Sequence, residues 1–392
     1  MTLSSFVPSK SYFCQVLGGA MRKIHMVDLK SQYERLKSEI DAGIQEVIDT
    51  TSFIKGPAVA KFEAELAEYL SVKHVIGCAN GTDALQIAMM ALDLPKGSEV
   101  ITPSFSYAAL VEVILLLGLK PVYVEVDKDS YLIDSARIES LINANTSLIA
   151  PVHLYGQCAN MEEIKALAKK YSLKVIEDTA QAIGASFTMP DGTIHSAGTL
   201  GDIGTTSFFP SKNLGCFGDG GAVFTNDDEL AIRMRMIANH GQSKKYVHTL
   251  IGLNSRLDSI QAAVLRVKLK ELKSFELARN NVADYFDLEL VNLPLQTPRR
   301  VSNSSHVFHQ YTMLLDNAKD REKLKEYLAE NGIPSMIYYP IALHKQEAYA
   351  SQDYLEITDE LCSRVLSLPI STEMDKDQLE FITNTIKKFY NK

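Results

Sequence analysis

Apolar and polar positions along the chain divide it into short buried strands and amphipathic helices. A short apolar piece, Ile24–Leu29, leads into a helix predicted from about Ser31 to Asp49. Gly56-Pro57 punctuates the chain and opens a second helix. Proline suits a first helical turn, and Phe62, Leu66, Tyr69 and Leu70 fall on one face. Val75–Cys78 reads as a buried strand that runs through Asn80-Gly81-Thr82-Asp83 into an Ala/Leu/Met-rich helix. Strands then alternate with helices. The strands are Glu99–Thr102, Pro121–Val126, Ser147–Leu154 and Leu173–Glu177; the helices follow Tyr107, lie near Asp134–Asn143 and occupy Met161–Lys170. Thr205–Phe209 and Gly221–Thr225 read as further strands, and residues 229–239 and 256–286 as helices. This alternation predicts an α/β fold built on a mostly parallel sheet covered on both faces.

Asn292–Ser305 is rich in Pro, Asn and Ser and marks a change. Beyond it the pattern gives a strand (Val307–Leu315), a helix (Arg321–Asn331), a strand (Ser335–Tyr339) and a final helix (Lys376–Phe389). The expected division is a large domain over 21–280 and a small α/β domain over 281–392. Residues 1–20 carry few charges and read as a disordered or non-native extension ahead of a start at Met21.

Composition narrows the function. Of 392 residues, 40 are Lys or Arg and 48 Asp or Glu, a formal net charge of −8. With 46% hydrophobic and 22% charged residues, the chain is ordinary for a globular protein. Mild acidity argues against a nucleic-acid partner bound through its phosphates. The longest apolar run, Ala108–Leu119, is too short to span a bilayer and contains Glu112, so no membrane partner is expected. Cys14, Cys78, Cys158, Cys216 and Cys362 are scattered and form no CxxC. That spacing predicts neither a disulfide framework nor a metal site, and fits a cytoplasmic, reducing compartment.

Three loops that follow strands carry the candidate chemistry, because open α/β sheets bind ligands at the carboxyl ends of their strands. In Asn80-Gly81-Thr82-Asp83, glycine allows close approach to a helix start whose N–H groups suit a phosphate. The same residues also suit plain helix capping by Thr82 or Asp83. In Glu177-Asp178-Thr179-Ala180-Gln181, an acid at a buried strand end is costly unless paired. It reads as a helix cap or as a carboxylate for a cationic heteroaromatic nitrogen. In Ser207-Phe208-Phe209-Pro210-Ser211-Lys212, a lysine sits among apolar residues ahead of the Gly-rich run Gly215–Gly221. Desolvation lowers a lysine's pKa and makes it a nucleophile.

Cradle, acid and lysine, in that order, resemble the sugar aminotransferases of the DegT/DnrJ/EryC1/StrS group, which are fold type I pyridoxal 5'-phosphate (PLP) enzymes. The matching segments are Gly56-Pro57, Asn80–Leu85, Thr102–Ala108, Glu177–Ala185, Phe208–Leu214, Gly218–Asp227 and Gly252–Gln261. The resemblance covers residues 21–392. It implies that Lys212 holds PLP covalently and later moves a proton, and that Asp178 pairs the pyridine nitrogen. It implies Gln181 beside the ring oxygen, Gly81, Thr82 and Ser207 around the phosphate, and Tyr107 on the ring face. Asn254 matches a residue that reaches the phosphate of a neighbouring subunit, which implies a homodimer with shared active sites. Arg256 and nearby basic residues match positions that hold a substrate carboxylate or diphosphate, or Arg256 pairs an acid of the long helix.

Within the group, Ser207–Asp227, Asn239-His240-Gly241-Gln242, Tyr246 and His248 look most like enzymes that aminate UDP-2-acetamido-3-oxo-glucuronic acid for surface polysaccharide. Those take nitrogen from glutamate, release 2-oxoglutarate and pass through pyridoxamine phosphate. His240, Tyr338 and Tyr339 are then the sugar-side candidates. Two features depart from that subgroup. Ile337-Tyr338-Tyr339-Pro340 stands where many relatives read His-Tyr-Pro, and Thr188–Leu200 is longer. A dTDP-linked 3- or 4-keto-6-deoxy sugar as acceptor, a PLP-dependent sugar dehydratase, and a non-catalytic PLP-binding regulator are the alternatives.

Overall fold

Seven strands make the central sheet of the computed structural model, which describes residues 22–391. The extension expected at residues 1–20 lies outside the described residues. In spatial order the strands are His74–Cys78, Gly221–Thr225, Ile203–Ser207, Lys174–Asp178, Thr146–Ile149, Glu99–Pro103 and Lys120–Val124. Gly221–Thr225 pairs antiparallel with both its neighbours; every other pairing in the sheet is parallel. A parallel sheet must be covered on both faces, and buried strand residues such as Val100, Ile101, Ile149 and Ile176 explain the continuous apolar runs of the sequence.

Local signals set the helices. Gly56 is the N-cap and Pro57 the first residue of the Pro57–Leu70 helix. Asp375 and Gln378 form a reciprocal capping box at the start of Lys376–Tyr390. The long helix runs Ser259–Leu290. Its first half packs with Leu36, Ile40, Phe62 and Leu66 of the first two helices. Its last turns put Val282, Phe286 and Leu290 into a separate cluster with Tyr311, Leu324, Leu366 and Ile382, which Ile24 joins.

That second cluster covers a three-stranded antiparallel sheet, Leu295–Gln296, Tyr311–Leu315 and Val365–Leu368. One expectation fails here, and two elements appear that none covered. Ser335–Tyr339 is not a strand; only Met336 bridges Ser367. The third strand is instead Val365–Leu368, entered directly from an unpredicted helix, Glu356–Arg364. No turn residue separates that helix from the strand, so the pattern gave no boundary. The helix start is fixed by a distant residue. Buried Glu125 accepts from Ile357 N–H at 2.9 Å and from Thr358 N–H at 2.8 Å. Tyr338 and Tyr339 are drawn toward the central sheet by side-chain hydrogen bonds described below, which competes with strand pairing.

Candidate active site

The chain leaves the edge strand at Cys78 and turns at Asn80 into the Gly81–Leu92 helix. Asn80 Oδ1 accepts from Asp83 N–H at 2.8 Å. Asn80 is thus the cap, in place of Thr82 or Asp83. The N–H groups of Gly81 and Thr82 lie in the first turn, where a helix supplies no partner. Close packing directs them. A Cβ on Gly81 would meet Ser207 Cβ at 2.6 Å, and one on Gly221 would meet Asn80 O at 2.4 Å. The two glycines let the helix start lie against Ser207, the last residue of its strand. The result is a narrow cradle of N–H groups at a positive helix end, suited to a phosphate.

Asp178 is the last residue of the neighbouring parallel strand. Its Oδ1 accepts from Ala180 N–H at 2.9 Å. Burial pushes its carboxyl above the ordinary range, opposed by that N–H and by the charge of Lys212. Lys212 follows a turn anchored by fully buried Phe208, whose ring meets Phe62 edge-on at 5.4 Å. The half-buried Lys212 amine is lowered by burial to about 8, and the Asp178 charge opposes that fall. An amine at that value is neutral in roughly a tenth of molecules at pH 7, enough to act as nucleophile or base.

Gln181 is buried and held at both ends. Its Oε1 accepts from Tyr155 N–H at 2.9 Å and its Nε2 donates to the Tyr339 hydroxyl at 3.0 Å. The Tyr155 hydroxyl donates to the Tyr338 carbonyl. These bonds bring Tyr338 and Tyr339, far along the chain, to the carboxyl ends of interior strands. Tyr107 is 62% exposed, with its ring 6.3 Å from that of Tyr339. An exposed aromatic face suits a flat ligand. Cradle, carboxylate, lowered amine and aromatic face together fit PLP, a planar phosphate-bearing heteroaromatic aldehyde with a basic ring nitrogen.

The remaining candidates sit together elsewhere, beside the edge strand. Asn254 is exposed and its backbone bridges Asn239. His240 is exposed, with φ 59°, and its carbonyl contacts His248 Nδ1 at 2.7 Å. Arg256 lines a cavity of about 260 Å³ with Lys55, Glu63 and Arg235. Burial and the charges of Arg256 and Arg235 lower the Lys55 amine. The neighbouring Ser255 hydroxyl accepts from Ala79 N–H at 3.1 Å, tying this segment to the chain that forms the cradle.

Sequence reasoning passed over Tyr155 and His309. Tyr155 follows a strand end, as the three selected loops do, and that position was its signal. Its φ of 58° is unusual for a tyrosine. His309 is buried, its Nδ1 has no hydrogen-bond partner among the described residues, and burial with the charges of Lys212 and Arg279 holds its pKa well below normal. Nothing local in the sequence marked it. Thr188–Leu200 contains most of an antiparallel hairpin, Ser186–Thr188 with Ile194–Ser196. Cys78, Cys158, Cys216 and Cys362 are buried and unpaired. No described helix is long and apolar enough to cross a membrane.

The model of the DegT/DnrJ/EryC1/StrS aminotransferase family matches residues 34–387. The chain is 45% identical, over 92% of its length and 98% of the relative's, to a UDP-2-acetamido-2-deoxy-3-oxo-D-glucuronate aminotransferase of Pseudomonas aeruginosa. It is 44% identical, over 93% and 97%, to a UDP-N-acetyl-3-dehydro-alpha-D-glucosamine 3-aminotransferase of Acidithiobacillus ferrooxidans. The crystal structure of NtdA from Bacillus subtilis with bound cofactor PMP superposes with a TM-score of 0.88 at 30% identity, covering 97% of this chain and 88% of that one.

Proposed function

The chain belongs to the DegT/DnrJ/EryC1/StrS aminotransferase family, and on that premise we propose that it moves an amino group from glutamate to UDP-2-acetamido-3-oxo-glucuronic acid, for surface polysaccharide. The observation that carries the chemistry is the placement of Asp178, at the end of a central strand, close enough to Lys212 for its charge to oppose the fall of that buried amine's pKa. Of the acceptors, the uronate is favoured by the Pseudomonas relative's activity.

The residues divide the work. Gly81, Thr82 and Ser207 bind the phosphate of PLP, and Tyr107 covers the ring. When bound, PLP supplies an electron sink for charge at the carbon that gains or loses nitrogen. Asp178, kept ionised by Ala180 N–H and Lys212, pairs the pyridine nitrogen. Gln181 has a second N–H for the ring oxygen. Lys212 would hold PLP covalently and, as a base of its pKa can, would move a proton at the substrate carbon. Glutamate and keto sugar take turns at one site, which gives ping-pong kinetics.

We also propose a cytoplasmic homodimer divided into domains at about residue 280. Exposed Asn254 is then free to reach a partner's phosphate, and exposed Phe53, Ile54, Tyr246 and Ile251 are apolar groups that an interface would cover. Arg256 and His240 would face the partner's sugar, with Tyr338 and Tyr339 on the near side.

The test is to load the protein with PLP and glutamate, then offer keto-sugar nucleotides one at a time. The expected result is loss of the pyridoxamine phosphate signal with the 3-oxo-uronate. Loss only with a dTDP-linked sugar reassigns the acceptor. A Lys212→Ala protein that still turns over overturns the lysine's role.

A further inference from the structure

Glu177 and Asp178 are consecutive, so their carboxylates leave the strand on opposite faces. Asp178 lies near Lys212. Glu177 is fully buried and makes no ion pair with any described lysine or arginine. Four donors surround it. Its Oε2 is 2.8 Å from His153 Nε2 and accepts from Gly198 N–H at 3.0 Å. Its Oε1 accepts from Leu200 N–H at 2.7 Å and Gly201 N–H at 2.5 Å. His153 is also fully buried, and its Nδ1 accepts from Ala159 N–H at 3.1 Å. That network assigns the proton to Nε2 and leaves the ring neutral. The pair is therefore one buried negative charge, stabilised by N–H donors alone. The same histidine grips Asp178 through the backbone. His153 N–H donates to the Asp178 carbonyl at 3.0 Å, and Asp178 N–H donates to the Pro151 carbonyl at 3.0 Å.

We propose that the His153–Glu177 pair is a positioning device for Asp178. It fixes the strand end from which Asp178 projects, and its charge adds to the field that keeps the cofactor's ring nitrogen protonated. The proposal rests on the reading of Asp178 as that nitrogen's partner. Neither residue of the pair is among those read as holding cofactor or substrate. The other titratable groups around Asp178 are Lys212 and Tyr339.

The test compares His153→Leu, His153→Gln and Glu177→Gln in the full chain. One readout is the 15N shift of the bound cofactor's ring nitrogen against pH. In His153→Leu its titration is expected about one unit lower than in the unaltered protein. The glutamate half-reaction should lose on the order of tenfold in rate, with KM within about twofold. His153→Gln, whose amide can donate to Glu177 from the Nε2 position, should recover both. A folded His153→Leu protein with an unchanged ring-nitrogen titration overturns the proposal and leaves the pair a strut for the 198–201 turn. If His153→Leu does not fold, Glu177→Gln is read the same way. A third readout needs neither variant nor cofactor. In the cofactor-free protein, imidazole 15N shifts should show His153 as the Nε2–H tautomer that its bonds to Glu177 and Ala159 require; an Nδ1–H tautomer overturns the proposal. An Asp178→Asn protein with an unaltered ring-nitrogen titration would sink the reading of Asp178 itself, which is a separate failure.

Discussion

Gln181 Nε2 donates to the Tyr339 hydroxyl at 3.0 Å, joining residues 158 positions apart in sequence. One amide thus ties the loop after the Lys174–Asp178 strand to the segment that precedes Glu356–Arg364. The bond is partly buried, so a double-mutant cycle should resolve it. Gln181→Ala and Tyr339→Phe are expected to couple by about 1 kcal/mol in denaturant unfolding. Additive effects would mean that the contact contributes nothing to stability.

Lys212 should make the cofactor-free protein less stable at neutral pH. Its folded pKa, about 8, lies below the ordinary 10.5, so folding disfavours its charged form. The penalty is complete below about pH 8 and fades as pH rises toward 10.5. Lys212→Met should therefore raise the melting temperature of the cofactor-free protein at pH 7. The gain is about 1 kcal/mol, reduced from the full shift because the amine is partly accessible. Melting curves at pH 7 and near pH 10 should show the gain shrinking.

Gly81→Ala should weaken PLP binding before it harms the fold. The added Cβ would lie 2.6 Å from Ser207 Cβ, so the helix start or the strand end must shift. A displacement of a few tenths of an ångström misaligns the N–H donors, at a cost of about 1–3 kcal/mol, or tenfold and more in affinity. Titration of the cofactor-free variant with PLP measures it directly.

Arg279 is fully buried and has no carboxylate partner among the described residues. It donates to the Phe308 carbonyl at 3.0 Å and the Ile370 carbonyl at 3.2 Å. Burial alone lowers its guanidinium, to about 10. Arg279→Ala leaves two buried carbonyls without that donor and opens a cavity beside Phe308, so a loss of about 3–5 kcal/mol is expected. Urea unfolding with an unchanged m-value would report it cleanly.

How much of this was legible beforehand follows from how far each signal travels along the chain. The sequence by itself determined the strands and helices of the large sheet, because alternating buried runs and local caps are short-range. It also determined the order of cradle, acid and lysine, since each follows its own strand. Packing decided the rest. Asn80 became the cap because Gly81 and Gly221 let the helix start press against Ser207. Tyr338 and Tyr339 left the strand expected of them because Gln181 and Tyr155, more than 150 residues earlier, offered hydrogen bonds. Glu356–Arg364 starts where Glu125 supplies acceptors that no local pattern records. His153 and Glu177 became a charged pair only when two parallel strand ends met. Side-chain hydrogen bonds between distant segments carry no period in the sequence, and only the tertiary structure fixes which donor finds which acceptor.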